Sequence, residues 1–67
     1  MITQIGLIAG EIWEHLDKNN KEVELGELMA GVNKERDLVL MSIGWLAREG
    51  HVVLEGEGEE RRVRLID

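Results

Sequence analysis

The first third of the chain has the hydrophobic period of an amphipathic helix. Its large apolar residues recur at steps of three and four positions, at Ile5, Ile8, Ile12 and Leu16. Because an α-helix has about 3.6 residues per turn, this spacing gathers them on one face and predicts a helix near residues 3–17. The polar residues 17–20 are expected to end it, since asparagine tolerates the left-handed conformation found at helix C-termini.

A stretch without any charged residue, 38–47, predicts a long third helix. Asn33 before it is typical of an N-cap, and Gly50 after it is typical of the position that follows a helix. These signals predict a helix of about four turns near residues 34–49.

The third helix is apolar on two faces, roughly a right angle apart at about 100° per residue. One face carries Val39, Ile43 and Leu46, and the other, the second apolar stripe, carries Leu38, Met41 and Trp45. A helix that is apolar nearly all round is expected to be buried on both sides. The second stripe is therefore covered either by another protein, most simply a second copy of the chain, or in part by the first helix.

Between these helices, residues 21–25 alternate polar and apolar side chains. The alternation predicts a short extended segment with Val23 and Leu25 pointing inward. A brief second helix near residues 26–31 should follow, and Gly31 is expected to end it with a positive φ. Two helices joined by a tight, glycine-containing turn form a helix-turn-helix.

The hydrophobic period changes after the third helix. Residues 51–55 and 61–66 are two β-prone runs, and the segment 56–60 between them is rich in glycine and glutamate. This pattern predicts a β-hairpin near residues 51–66. The order of elements is that of an α+β winged helix-turn-helix: a three-helix bundle with a short strand and a C-terminal hairpin wing, in one domain over residues 1–67.

The inward-facing positions of these elements form the expected core. They are Ile8, Ile12, Leu16, Val23, Leu28, Val32, Val39, Ile43, Leu46, Val53 and Leu65. A chain of 67 residues buries only about 60% of the surface that its unfolded form exposes, so its stability is marginal without help. Since there is no cysteine and the two histidines lack the neighbours of a zinc site, oligomerisation is the support that remains.

Two segments resemble the pattern of a known family. They are Gly-Val-Asn at 31–33 and Ile-Gly-Trp-Leu-Ala-Arg-Glu-Gly at 43–50. The chain is similar over nearly its whole length to a family of short, stand-alone bacterial winged helix-turn-helix proteins of uncharacterised function. The Gly-Trp-Leu-Ala-Arg-Glu block is the most specific part. The resemblance implies the winged helix fold and a symmetric dimer, and it brings no catalytic residues.

The net charge of −6 disfavours binding to nucleic acid, although a local basic patch can still bind DNA. Candidate phosphate contacts are Lys34, Arg36, Arg48, Arg61, Arg62 and Arg64. In a helix-turn-helix the third helix enters the major groove, but here the face that should read bases carries Leu38, Met41 and Trp45. The wing arginines also share their hairpin with Glu55, Glu57, Glu59 and Glu60, which would repel phosphate. That these arginines pair with neighbouring glutamates, or keep the sheet soluble, explains them at least as well as phosphate binding.

No arrangement of residues points to an enzyme, a cofactor or a small-molecule substrate. Glu11 and His15 are four residues apart on one helical face, but they lack the third ligand that a zinc site needs. Ser42 has no adjacent base and is expected to be a packing residue. The apolar N-terminal residues lack the basic flank of a signal peptide, and no apolar run reaches about 18 residues, so a cytoplasmic protein without membrane contact is expected.

Two functions from different classes remain. The first is a protein-interaction module, most simply a homodimer through the second apolar stripe, because tryptophan and methionine are favoured at interface cores. The second is a dimeric DNA-binding transcriptional regulator that uses Lys34, Arg36 and the wing arginines. The shortage of positive charge favours the first, because affinity for DNA depends on neutralising phosphates.

Overall fold

The computed structural model describes residues 3–66 of the chain. Its elements, in order, are α1 (Thr3–Lys18), β1 (Glu22–Glu24), α2 (Leu25–Val32), α3 (Arg36–Arg48), β2 (Val52–Glu55), a short 3₁₀ turn (Gly58–Glu60) and β3 (Arg62–Leu65). This order confirms the predicted α+β winged helix-turn-helix. Residues 1, 2 and 67, which the prediction of one domain over 1–67 includes, lie outside the described residues.

The three strands form one antiparallel sheet in the order β1-β3-β2. Val63 lies opposite Val23 in β1 and opposite Leu54 in β2. Backbone hydrogen bonds extend the pairing of β1 with β3 at both ends, from Leu25 N to Arg61 O and from Leu65 N to Lys21 O, both 2.7 Å. The wing is therefore joined to the helices through β1.

One continuous apolar core lies between the three helices and the sheet. Its buried members are Ile8, Ala9, Ile12, Leu16, Val23, Leu25, Leu28, Val39, Ile43, Leu46, Val52, Val63 and Leu65. Nine of the eleven predicted core residues are among them. Ser42 is the polar residue buried with them, and its Oγ donates hydrogen bonds to Leu38 O at 2.8 Å and Ile5 O at 3.4 Å. This serine lies where α3 meets α1.

The predicted core was wrong at two positions. Val53 is only half-buried, and Val52 takes the inward place instead. The register explains this, because Val52 pairs with the buried Leu65, whereas Val53 pairs with Arg64 on the opposite face of the sheet. Val32 is also half-buried, at the C-terminus of α2, where it packs against the edge of the core.

The turn between α2 and α3 differs from the prediction. Asn33 does not cap α3; it is the C-cap of α2, in the left-handed conformation with φ 58° and ψ 49°, and its N–H donates to Met29 O. The helix α3 begins two residues later than predicted, with Glu35 as its N-cap. Asparagine is common both as a helix N-cap and at helix C-termini. Here Asn33 directly follows the last residue of α2, and it takes the C-terminal role. By contrast, Asn20 at φ 65° and Gly50 at φ 80° take the predicted left-handed positions.

Gly31 lies inside α2 and has no positive φ, contrary to the prediction. The reason for a glycine at this position is the side chain of His15 on α1. A Cβ built on Gly31 would lie 2.3 Å from His15 Cε1. The absence of a side chain lets the two helices approach with the imidazole ring between them.

Candidate functional site

The outward side of α3 is largely apolar and uncovered. Leu40, Met41 and Trp45 have 40%, 53% and 45% of their surface exposed. The opposite side of the same helix carries its four buried residues, Val39, Ser42, Ile43 and Leu46. In a helix-turn-helix protein bound to DNA, the outward side of this helix faces the base edges of the major groove. Here that side offers few groups that could hydrogen-bond to a base.

On one flank the apolar surface continues onto α1. A groove of about 260 Å³ lies between the two helices, and Gly6, Gly10, Trp13 and Trp45 line it. His51 also lines the groove, with its ring centroid 6.5 Å from that of Trp45. A Cβ added at either glycine would meet no other atom of the described part of the chain within 4 Å.

On the other flank the surface continues onto the wing. Leu40, Gly44 and Leu54 line a cleft of about 140 Å³ that reaches the buried Val63. Leu54 is on the core-facing side of the sheet, but the helices do not cover it and 41% of its surface is exposed. We call the continuous surface the outer apolar face; its large side chains are Trp13, Leu40, Met41, Trp45 and Leu54.

Leu38 differs from the other two residues of the second apolar stripe. It is half-buried against the core, and it lines a groove of about 350 Å³ together with Leu7 and Ile8 of α1. The first helix thus covers this part of the stripe, whereas Met41 and Trp45 stay exposed. Sequence reasoning missed Trp13, Leu40 and Leu54, whose contribution depends on how α1 and the wing flank α3.

Arg36 at the start of α3 is paired with the wing. Its guanidinium donates to both carboxylate oxygens of Glu59, with Nη2 2.6 Å from Oε1 and Nη1 3.4 Å from Oε2. This hydrogen bonding lowers the pKa of the Glu59 carboxyl from its ordinary value and keeps it charged. A phosphate would therefore have to displace a carboxylate that already fits the guanidinium fork.

The arginines of β3 contact carboxylates of neighbouring strands. Arg62 hydrogen-bonds to Glu22 and also lies 3.6 Å from Glu24, both on β1. The contact with Glu22 raises the pKa of Arg62. Arg64 Nη2 lies 3.8 Å from Glu55 Oε2 on β2. The outer side of the sheet is thus a set of matched charges and not a basic patch.

The remaining candidate cations are Lys34, Arg48 and Arg61. Lys34 lies 3.9 Å from Glu11, and Arg61 Nε donates to Gly56 O at 3.3 Å. Within residues 3–66, Arg48 has no ion-pair partner. It lies in the last turn of α3, beside the outer apolar face. Five of the six predicted phosphate contacts thus lie close to an oxygen atom of their own chain, and Arg48 is the exception among the residues described.

The candidate chemical groups lie apart from each other. His15 is turned toward α2, where its Nε2 is buried and has no hydrogen-bond partner among the residues that the structure describes. Glu11 faces Lys34. Among the residues described, no group of three carboxylate or histidine side chains is placed to hold a metal ion. None of the described helices is long and apolar enough to cross a membrane.

Comparison with known proteins agrees with the winged helix fold. A family model described as winged helix-turn-helix domain (DUF2582) matches residues 1–65. The chain belongs to this family. The DUF2582 chain is also similar to protein BT2368 from Bacteroides thetaiotaomicron, known from a solution NMR structure, with 28% sequence identity and a TM-score of 0.78. That likeness covers 96% of this chain and 77% of the other. No curated protein matches the chain.

Proposed function

We propose that this winged helix-turn-helix domain is a non-enzymatic protein-interaction module whose contact surface is the outer apolar face, and that it acts as a homodimer. One observation carries the proposal: the middle of the side of α3 that would read DNA exposes Leu40, Met41 and Trp45. Exposed apolar patches rimmed by polar residues mark protein interaction sites, and tryptophan and methionine are enriched in interface cores.

The distribution of charge supports a protein partner over DNA. Specific DNA binders typically neutralise about 6–10 phosphates, whereas the whole chain has eight basic residues against fourteen acidic ones. Arg36, Arg62 and Arg64 already lie against carboxylates of the same chain. We therefore expect binding to random duplex DNA to be weak or absent at physiological salt.

Analytical ultracentrifugation over a range of concentrations tests the proposal. The wild-type chain should sediment as a dimer at high concentration, and Trp45→Glu should shift it to the monomer, because a charge would be desolvated in the middle of the interface. The matched control is Leu7→Glu. Leu7 is 64% exposed but lines the groove on the other flank of α1, so the same charge there should leave the dimer intact.

Two results would contradict the proposal: a wild-type chain that stays monomeric at several hundred micromolar, or equal effects of the two substitutions. Circular dichroism of each variant shows whether its helices remain folded. The DNA-binding alternative is favoured by Arg48, which has no ion-pair partner within the described residues. A sequence-selective, sub-micromolar complex with duplex DNA at physiological salt would support that function instead.

A further inference from the structure

Six of the seven exposed residues of α3 are arranged symmetrically along the helix; the seventh, Arg36, is paired with Glu59 of the wing. Counted from the midpoint between Ser42 and Ile43, three pairs of positions are equidistant: Asp37 with Arg48, Leu40 with Trp45, and Met41 with Gly44. Steps of three, one, three, one and three residues keep all six positions on the outward side of the helix. Two of the pairs are complementary. Asp37 and Arg48 carry opposite charges, and Met41 has a long side chain where Gly44 has none.

We propose that a second copy of the chain docks on the outer apolar face with its α3 antiparallel to the first, about a two-fold axis at that midpoint. This inference rests on the proposed function and specifies the geometry of the dimer. The axis brings Asp37 to the level of Arg48 of the second copy, and Met41 to the level of Gly44 of the second copy. Each contact occurs twice, as in any isologous interface.

The charges at the two ends of α3 favour this arrangement. Neither Asp37 nor Arg48 has an ion-pair partner within residues 3–66, whereas the other five candidate cations each lie close to an oxygen atom of their own chain. An antiparallel copy gives both residues a partner of opposite sign. A parallel copy would place Asp37 beside Asp37 and Arg48 beside Arg48, and like charges at an interface disfavour that pairing.

Gly44 supplies a second and independent argument. It lies in the interior of α3, where glycine is unfavourable, yet a Cβ added there would meet no other atom of residues 3–66 within 4 Å. Packing within one chain therefore does not require a glycine. A notch at this position instead leaves room for the side chain of Met41 from an antiparallel copy, and Met41 is the most exposed large residue of the face.

The available area fits a dimer of ordinary size. Large apolar side chains present roughly 150–250 Å² each, and the five of the outer apolar face are a little under half exposed. Together they offer about 400–500 Å² of apolar area per copy. A standard interface buries about 800 Å² per partner, of which about 56–65% is apolar. The apolar part is thus present, and Asp37 and Arg48 contribute to the polar rim.

Charge reversal at the two ends of α3 tests the register. Asp37→Arg and Arg48→Asp should each raise the dimer dissociation constant about 10- to 100-fold, because each creates two like-charge contacts across the axis. The double variant Asp37→Arg with Arg48→Asp should recover most of the lost affinity, since it exchanges the partners without changing their complementarity. Glu27→Arg is the matched control, because Glu27 is an exposed acid in the first turn of α2.

A Gly44→Leu variant gives a readout that does not depend on helix-end charges. Leucine favours the helix in each chain, so thermal stability of the dilute monomer should be kept or raised, while the dissociation constant should rise at least about tenfold as Met41 loses its place. A wild-type monomer would overturn the proposed function. Two results with a dimeric wild-type chain would overturn only the antiparallel register. The first is a double charge variant that dimerises no more tightly than the single variants, and the second is an unchanged dissociation constant in Gly44→Leu.

Discussion

The contact between Gly31 and His15 allows a stability prediction with a definite sign. A Cβ on Gly31 would lie 2.3 Å from His15 Cε1, 2.8 Å from Nε2 and 2.9 Å from Nδ1. Because non-bonded carbon atoms prefer separations of about 3.5–4.0 Å, the ring must move by about 1 Å or more in Gly31→Ala. Overpacking of this kind costs about 1–3 kcal/mol.

The same substitution also improves the helix. Alanine is about 1 kcal/mol better than glycine in a helix interior, so the net loss should be up to about 2 kcal/mol. For a domain of this size, each 1 kcal/mol corresponds to about 4–8 °C in Tm. In a His15→Ala background the ring is absent, and Gly31→Ala should instead stabilise the protein by about 1 kcal/mol.

Urea unfolding followed by circular dichroism measures all four combinations of this double-mutant cycle. Protein concentration is held constant throughout, because association shifts apparent stability. The coupling free energy between the two sites should be about 1–3 kcal/mol. If Gly31→Ala stabilises the protein equally in both backgrounds, the imidazole does not hold its place against α2 and the explanation of this glycine is refuted.

Two further predictions concern the wing. Carbon-13 NMR of the side-chain carboxyls should find the pKa of Glu59 below its ordinary value, and this pKa should return toward the ordinary value in Arg36→Ala. Because the folded-state pKa is lowered, any stability from this pair is present above the unfolded-state pKa and is lost as pH falls through the folded-state pKa. An unshifted pKa of Glu59 would show that the pair does not persist in solution. Val52→Ala should cost about 2 kcal/mol or more of unfolding free energy and Val53→Ala less than half of that, since only Val52 is buried; equal losses by thermal unfolding would contradict the observed register.

The sequence was sufficient to predict the helices and strands, but not to predict which face of a strand a given side chain occupies. Helical periodicity located α1 and α3 within about two residues, because their apolar positions repeat over several turns. Two adjacent valines carry no such information. The choice between Val52 and Val53 depends on the pairing with β3, and shifting a strand by one residue exchanges its faces.

The candidate site was predictable only in part, for a related reason. Met41 and Trp45 could be identified as exposed candidates from α3 alone, but the covering of Leu38 depends on how α1 crosses that helix. The pairing of Arg36 with Glu59 joins residues 23 positions apart, and that of Arg62 with Glu22 joins residues 40 apart. No local pattern encodes such contacts, so the sequence alone did not identify the carboxylates that these two arginines contact.

The strand order has a consequence for how the chain folds. The central strand, β3, is the last of the three in sequence, and β1 and β2 pair only with it. During synthesis from the N-terminus, the helices can pack early, but β1 has no neighbour to hydrogen-bond until residues 62–65 have been made. Closing the ladder between Glu22 and Arg64 then requires a long loop, and such non-local pairing is slow. Formation of the sheet should therefore be one late, cooperative step that completes all the strands together.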